Sequence, residues 1–157
     1  MSEQTLHEAV CRYIKLQYPN VMFNSDMSGF RLTQGQAIRA KKMRSTNGYP
    51  DLVIYEARGG YFGLFIELKD EGVRTFTRDG RPATKHIGKQ VETIDALSSR
   101  GYYGIIASGW DIVKNIIDYY MELEPTPELK RKYQCQFTAA ILIFQVKIIH
   151  QNVGCIE

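Results

Sequence analysis

Apolar residues recur at helical spacing near the start of the chain and predict a helix over residues 2–18. One side of that helix collects Leu6, Val10 and Ile14. Ser2 is placed to cap its first turn, and Pro19 prevents its continuation. We therefore expect a helix with one buried face.

Residues 24–50 lack this periodicity. They are rich in Ser, Gly, Asn, Thr and basic residues. Such a composition predicts a loop, within which we expect one short helix over residues 36–43.

Two apolar runs in the middle of the chain predict a β-hairpin. They cover residues 52–55 and 61–66, and Gly59 and Gly60 between them provide turn chemistry. Residues 72–88, which follow, are polar and basic and predict another loop. The hairpin is therefore expected to be flanked by two loops.

The next elements alternate between helix and strand. A helix is predicted over residues 89–100, and the apolar residues 102–107 predict a strand buried on both faces. Ser108 and Asp111 have the spacing of a capping box at the start of a further helix. The order helix, hairpin, helix, strand, helix predicts an α/β fold, in which helices flank a small mixed sheet.

Prolines at 125 and 127 predict a boundary after this unit. We interpret residues 1–124 as one domain and residues 125–157 as a C-terminal extension. The extension contains an apolar segment over residues 137–149 that is compatible with either a helix or a strand. We expect it to pack on the domain or to contribute to dimerisation.

The composition is that of an ordinary globular protein. The chain has 157 residues, of which 44% are hydrophobic and 24% charged, which excludes a disordered chain, a collagen-like repeat and a coiled coil. Its 3 cysteines are widely spaced, so neither a disulfide framework nor a zinc knuckle is indicated. No apolar run reaches the ~20 residues of a membrane span. We therefore expect a soluble intracellular protein that does not bind membranes.

Positive charge is concentrated in two blocks, although the net charge is only +3. Residues 31–44 contain no acidic residue, and residues 74–89 contain only Asp79. Both blocks flank the hairpin, so they predict a surface that binds a phosphate backbone. The expected DNA-binding residues are Arg31, Lys41, Lys42, Arg44, Arg74, Lys85 and Lys89.

Two carboxylates and one ammonium group are expected to meet at the open end of the hairpin. Asp51 precedes its first strand, whereas Glu67 and Lys69 end its second strand and share one face. Carboxylate oxygens, together with the backbone carbonyl of Leu68, are suitable ligands for Mg²⁺ or Mn²⁺. Such a metal activates water and neutralises phosphate charge, and Lys69 can orient the attacking water or stabilise the developing charge.

These motifs resemble the PD-(D/E)xK nuclease superfamily and, within it, the virus-type replication-repair nuclease (VRR-NUC) family. The resemblance covers residues 2–123 and depends on Pro50-Asp51, Glu67-x-Lys69 and Gln90 at the head of a helix. It implies a restriction-endonuclease-like core with Asp51 and Glu67 as metal ligands. It also implies that Lys69 is the catalytic lysine and that Gln90 is an accessory polar residue.

The first helix offers two candidates for a further acidic residue of the site. Glu3 lies on the apolar side of this helix between Val10 and Ile14, whereas Glu8 lies on the solvent side. The layout of the family also favours Glu3 as a catalytic and metal-binding residue, and Glu8 stays the alternative. His7, His86 and His150 show no spacing typical of metal ligands, and we assign them no role.

The resemblance implies a Mg²⁺-dependent endodeoxyribonuclease of phage or bacterial origin, located in the cytoplasm. It further implies a homodimer that acts on branched DNA such as Holliday junctions. Two alternatives stay open. One is a phage or defence nuclease without structure selectivity, and the other is a DNA-binding protein without catalysis.

Overall fold

The computed structural model describes residues 2–26, 33–43 and 48–126. In these residues the helices are α1 (Glu3–Gln17), α2 (Gln34–Met43), α3 (Lys85–Ser98) and α4 (Trp110–Glu122). The strands are β1 (Phe23–Ser25), β2 (Leu52–Ile54), β3 (Leu64–Lys69) and β4 (Tyr103–Ser108). All of these elements lie in the unit Met1–Pro125. Residues 127–157, with the apolar segment 137–149, lie outside the described residues, so the role of the extension stays a prediction.

The strands form one mixed sheet in the order β1-β2-β3-β4. The first three strands pair antiparallel, and β3 pairs parallel with β4. Every residue of β3 is buried, as expected for a central strand covered on both faces. The small mixed sheet with its flanking helices confirms the predicted α/β, restriction-endonuclease-like core.

The two faces of β3 have different partners. Leu64, Ile66 and Leu68 belong to the apolar core, to which α1 and α4 contribute. Glu67 on the opposite face meets Gln90 of α3, and α3 also packs on β4. Strand alternation therefore separates an apolar side from a side that carries ionisable groups.

β1 was not expected, because two of its three residues, Asn24 and Ser25, lie at the start of the predicted loop. Asn24 pairs with Val53, which makes β1 the neighbour of β2. A segment this short shows no measurable alternation of apolar and polar residues, and its pairing partner is remote in sequence. The predicted loop was therefore wrong at these positions.

Two helix starts also differ from the prediction. α3 begins at Lys85 rather than at residue 89, because the Thr84 hydroxyl accepts a hydrogen bond from the amide of Ile87 at 3.2 Å. The predicted capping box at Ser108 was wrong, since Ser108 is the last residue of β4 and pairs with Lys69. Gly109 occupies the N-cap of α4 at a φ of 80° without a side-chain cap.

Among the helices of the described residues, none combines the length and the apolar character that a membrane span requires.

Candidate active site

Strand pairing brings Asp51 opposite Glu67. Leu52 pairs with Ile66, so the positions that follow toward the end of the strand pair are 51 and 67. The Asp51 carboxylate accepts a hydrogen bond from the backbone amide of Leu68 at 2.9 Å. Both carboxyl groups are buried, with 9% of Asp51 and 3% of Glu67 exposed. The backbone of the central strand therefore fixes where these two acids lie.

Lys69 lies on the same face of β3 as Glu67 and contacts it directly. Its ammonium nitrogen donates to Oε1 of Glu67 at 2.6 Å, and Lys69 is also buried. Oε2 of Glu3, at the first turn of α1, lies 3.9 Å from the same nitrogen. The structure therefore brings together four of the predicted site residues, of which Glu3 is the most exposed.

Gln90 reaches the site from α3. Its side-chain amide donates to the same oxygen of Glu67 that Lys69 contacts, and the residue is 4% exposed. Gly48 lies against it at a φ of 86°, and a Cβ built there would meet Cγ of Gln90 at 3.5 Å. The amide oxygen of Gln90 is buried and has no hydrogen-bond partner among the described residues.

The surroundings of Glu67 make its ionised form costly. Burial first and the negative charge of Asp51 second raise its pKa from 4.5 to about 7, against the opposing effect of Lys69. Of these two adjacent carboxyl groups, Glu67 is the one that contacts the ammonium of Lys69. A cation at this position would relieve their mutual repulsion.

The donor atoms suit a hard divalent cation. Asp51, Glu67 and the carbonyl of Leu68 offer only oxygen, which Mg²⁺ and Mn²⁺ prefer. In the part of the chain that the structure describes, no three His, Cys, Asp or Glu side chains are grouped as a complete metal site. Asp51 and Glu67 are two carboxylates, and Mg²⁺ commonly binds through one or two carboxylates while it keeps several waters.

A cavity of about 190 Å³ adjoins the site on the side of α1. Its lining consists of Glu3, Gln4, His7, Glu8, Cys11, Ser25 and Asp51. Both candidate acids of the first helix therefore line it, and the proximity to Lys69 distinguishes Glu3.

His7 is the neighbour of the site that the sequence did not reveal. Its Nε2 lies 3.2 Å from the carbonyl oxygen of Asp51 and 2.6 Å from the hydroxyl of Ser25. A carbonyl oxygen only accepts, so the first contact requires a proton on Nε2. His7 follows Glu3 by one helical turn, but its link to the site also depends on β1, which carries Ser25.

Several of the predicted DNA-binding residues lie on the surface. Lys42 of α2, Arg74, Lys85 and Lys89 are exposed. Lys41 also belongs to α2, whereas Arg31 and Arg44 lie outside the described residues. Lys85 and Lys89 are one helical turn apart on α3, the helix that carries Gln90.

Comparison with known proteins finds similarity to a solved structure. No protein-family model matches the chain, and no curated protein matches it. A solved structure described as "VRR_NUC domain protein" is similar to the chain with 29% sequence identity and a TM-score of 0.55. The similarity covers 80% of this chain and 92% of that one.

Proposed function

We propose that this chain, assigned to the VRR-NUC nuclease family by its structural similarity and its site motif, is a metal-dependent DNA endonuclease. The observation that carries the proposal is the position of Asp51 opposite Glu67, with the Lys69 ammonium 2.6 Å from Glu67. A DNA-binding protein without catalysis has no need to bury two carboxyl groups and an ammonium in one site, because their burial is costly.

Asp51, Glu67 and the carbonyl of Leu68 would hold Mg²⁺ or Mn²⁺, with Glu3 as a further ligand. When bound, the metal supplies charge neutralisation at the phosphate and lowers the pKa of coordinated water. Gln90 and Lys69 both donate to Oε1 of Glu67. These two donors therefore orient the carboxyl group without using its other oxygen.

Lys69 has the position required to assist hydrolysis. In this reaction a water oxygen forms a bond to phosphorus, one phosphodiester P–O bond breaks, and the leaving oxygen takes up a proton. The Lys69 ammonium, held between Glu67 and Glu3, orients the water or stabilises the charge on the phosphate oxygens. Its burial strengthens either effect, since the surroundings are less polar than water.

The exposed cations provide a path for the DNA backbone. Arg74 follows Lys69 by five residues. Lys85 and Lys89 both precede Gln90, and Lys89 is its immediate neighbour. They would bind phosphates without reading the base sequence, as would Lys42, Lys41, Arg31 and Arg44. Binding is therefore expected to be sensitive to salt and tolerant of sequence.

We further propose that the substrate is branched DNA, such as a Holliday junction, and that the active form is a homodimer. Resolution of a four-way junction needs two opposed cuts, and a two-fold dimer holds two identical sites in a fixed relation. We also propose a phage or bacterial cytoplasm as the setting, which is what the resemblance to the family implies.

The test is cleavage of a four-way junction, a flap and a linear duplex of related sequence in Mg²⁺, Mn²⁺ or EDTA. Asp51→Asn and Glu67→Gln should abolish cleavage and retain metal-free binding. Glu92→Gln, an exposed acid on α3, is the matched control. Cleavage by Asp51→Asn at the wild-type rate would overturn the site. Equal cleavage of all substrates by a protein of monomeric mass would leave a nuclease without structure selectivity.

A further inference from the structure

The segment between β3 and α3 forms an ordered hairpin, which we call the basic hairpin (residues 74–83). Its two arms are joined by hydrogen bonds from the amide of Ala83 to the carbonyl of Thr75 at 2.9 Å and from Thr77 to Arg81 at 2.8 Å. Gly80, at a φ of 78°, closes the turn through its bond to Thr77 at 3.1 Å. The hairpin therefore holds its side chains in defined directions.

One face of the basic hairpin is more exposed than the other. Arg74, Phe76 and Arg78 are exposed, whereas the intervening Thr75 and Thr77 are partly buried, which is the alternation of an extended strand. Phe76, which carries the phenyl ring, is 42% exposed. Phe76 therefore lies on the same exposed face as Arg74 and Arg78, which flank it along the strand.

The position and charge of this face favour a nucleic acid as its partner. The hairpin begins five residues after Lys69 and ends seven residues before Gln90, so both of its arms lead to the site. Its single acid, Asp79, is paired with Arg81. Nε of Arg74 donates to the backbone carbonyl of Phe76 at 3.0 Å, which restrains the Arg74 side chain on the hairpin. A polyanion with aromatic faces matches such an arrangement.

We propose that the outer face of the basic hairpin contacts DNA, with Phe76 stacked on an unpaired or unstacked base and Arg74 and Arg78 bound to the adjacent phosphates. This inference rests on the proposed function and supplies it with an element that selects branched DNA. Inside a continuous duplex each base is already stacked on both sides, so a ring can enter only if it opens a base step. At a branch or a bulge a base face is free, and stacking then adds to affinity.

The test compares metal-free binding of the full chain to a continuous duplex, a duplex with one unpaired nucleotide and a four-way junction. Phe76→Ala should weaken binding to the two interrupted substrates by about 5- to 150-fold and leave the continuous duplex within about 2-fold. Phe76→Tyr and Phe76→Trp should retain the preference, because they keep an aromatic face. Tyr119→Ala removes an exposed aromatic from α4 and is the matched control, with no expected change.

Phe76→Leu keeps an apolar side chain and should lose the preference as the alanine variant does. If Phe76→Ala fails to fold, this variant provides the same comparison. Equal weakening on all three substrates, or no change on any of them, would overturn the proposal. Because binding is measured in EDTA, a chain that proves unable to cleave DNA still tests Phe76. Conversely, Asp51-dependent cleavage with an unchanged preference in Phe76→Ala would overturn this inference and leave the nuclease assignment intact.

Discussion

The carboxylate of Asp51 accepts a hydrogen bond from the backbone amide of Leu68 at 2.9 Å. This bond ties the residue that precedes β2 to the second-last residue of β3, immediately beside Glu67. The sheet therefore holds the backbone of the two acids together, and hydrogen bonds from Leu68 to Asp51 and from Lys69 to Glu67 hold their carboxyl groups. The shape of the site is a property of the strand register.

The first prediction follows from the raised pKa of Glu67. This carboxyl group has a pKa of about 7 in the folded protein against 4.5 when unperturbed, so the folded state binds an extra proton between these values. The metal-free protein should therefore lose stability as pH rises from 4.5 to 7, by about 2–3 kcal/mol. Urea unfolding in EDTA across this range measures the loss.

Two controls isolate the contribution of Glu67 to this loss. Glu67→Gln cannot ionise at that position and should remove most of the pH dependence. Mg²⁺ should raise the stability of the wild-type protein more at pH 7 than at pH 5, since protons compete with the metal for the same oxygens. A wild-type stability that rises between pH 4.5 and 7 in EDTA would contradict the raised pKa.

The second prediction concerns Gln90 as a positioning residue. The substitution Gln90→Met keeps the length of the side chain and removes the hydrogen bond that the amide donates to Glu67. We expect cleavage to fall about 10- to 100-fold and the required Mg²⁺ concentration to rise, as is typical when a partner of a metal ligand is lost. DNA binding in EDTA should change little. Unaltered Mg²⁺ dependence in Gln90→Met would show that Gln90 serves packing alone.

Local pattern was sufficient to predict that Asp51, Glu67 and Lys69 lie close together. Asp51 directly precedes β2, and Glu67 and Lys69 belong to β3, so their proximity follows from the pairing of two strands that are consecutive in sequence. Both strands contain short continuous apolar runs with Gly59 and Gly60 between them, so the pattern could be interpreted from neighbouring residues. The core helix face of Leu6, Val10 and Ile14 was predicted for the same reason, and all three are buried.

Contacts between remote segments could not be predicted in this way. Ser25 reaches His7 only because β1 adds to the edge of β2, and a three-residue strand carries no periodic signal. The start of α4 was misplaced because Gly109 caps it through backbone conformation rather than through a side chain. The determinant is strand pairing for β1 and backbone conformation for α4, and residue spacing along the chain reveals neither.

The third prediction concerns the exposed lysines of α3. The double variant Lys85→Ala/Lys89→Ala should weaken binding to all DNA sequences alike and should lower the slope of log affinity against log salt by up to about 2. The control is Lys15→Ala, which removes an exposed cation from the last turn of α1, at the opposite end from Glu3. A salt slope equal to that of the wild-type protein would mean that these lysines face away from the DNA.

The last prediction concerns His7, whose Nε2 is shared between the carbonyl oxygen of Asp51 and the hydroxyl of Ser25. This contact restrains the backbone of Asp51, so His7→Ala should lower kcat about 10-fold and raise the Mg²⁺ requirement while KM for DNA changes little. His7→Gln retains a side-chain N–H and should restore part of the activity. His86→Ala, an exposed histidine on α3, is the control for loss of an imidazole. If His7→Gln and His7→Ala were equally impaired in Mg²⁺ dependence, the hydrogen bond to Asp51 would have no role in positioning the carboxylate, and His7 would matter only through its packing in the cavity.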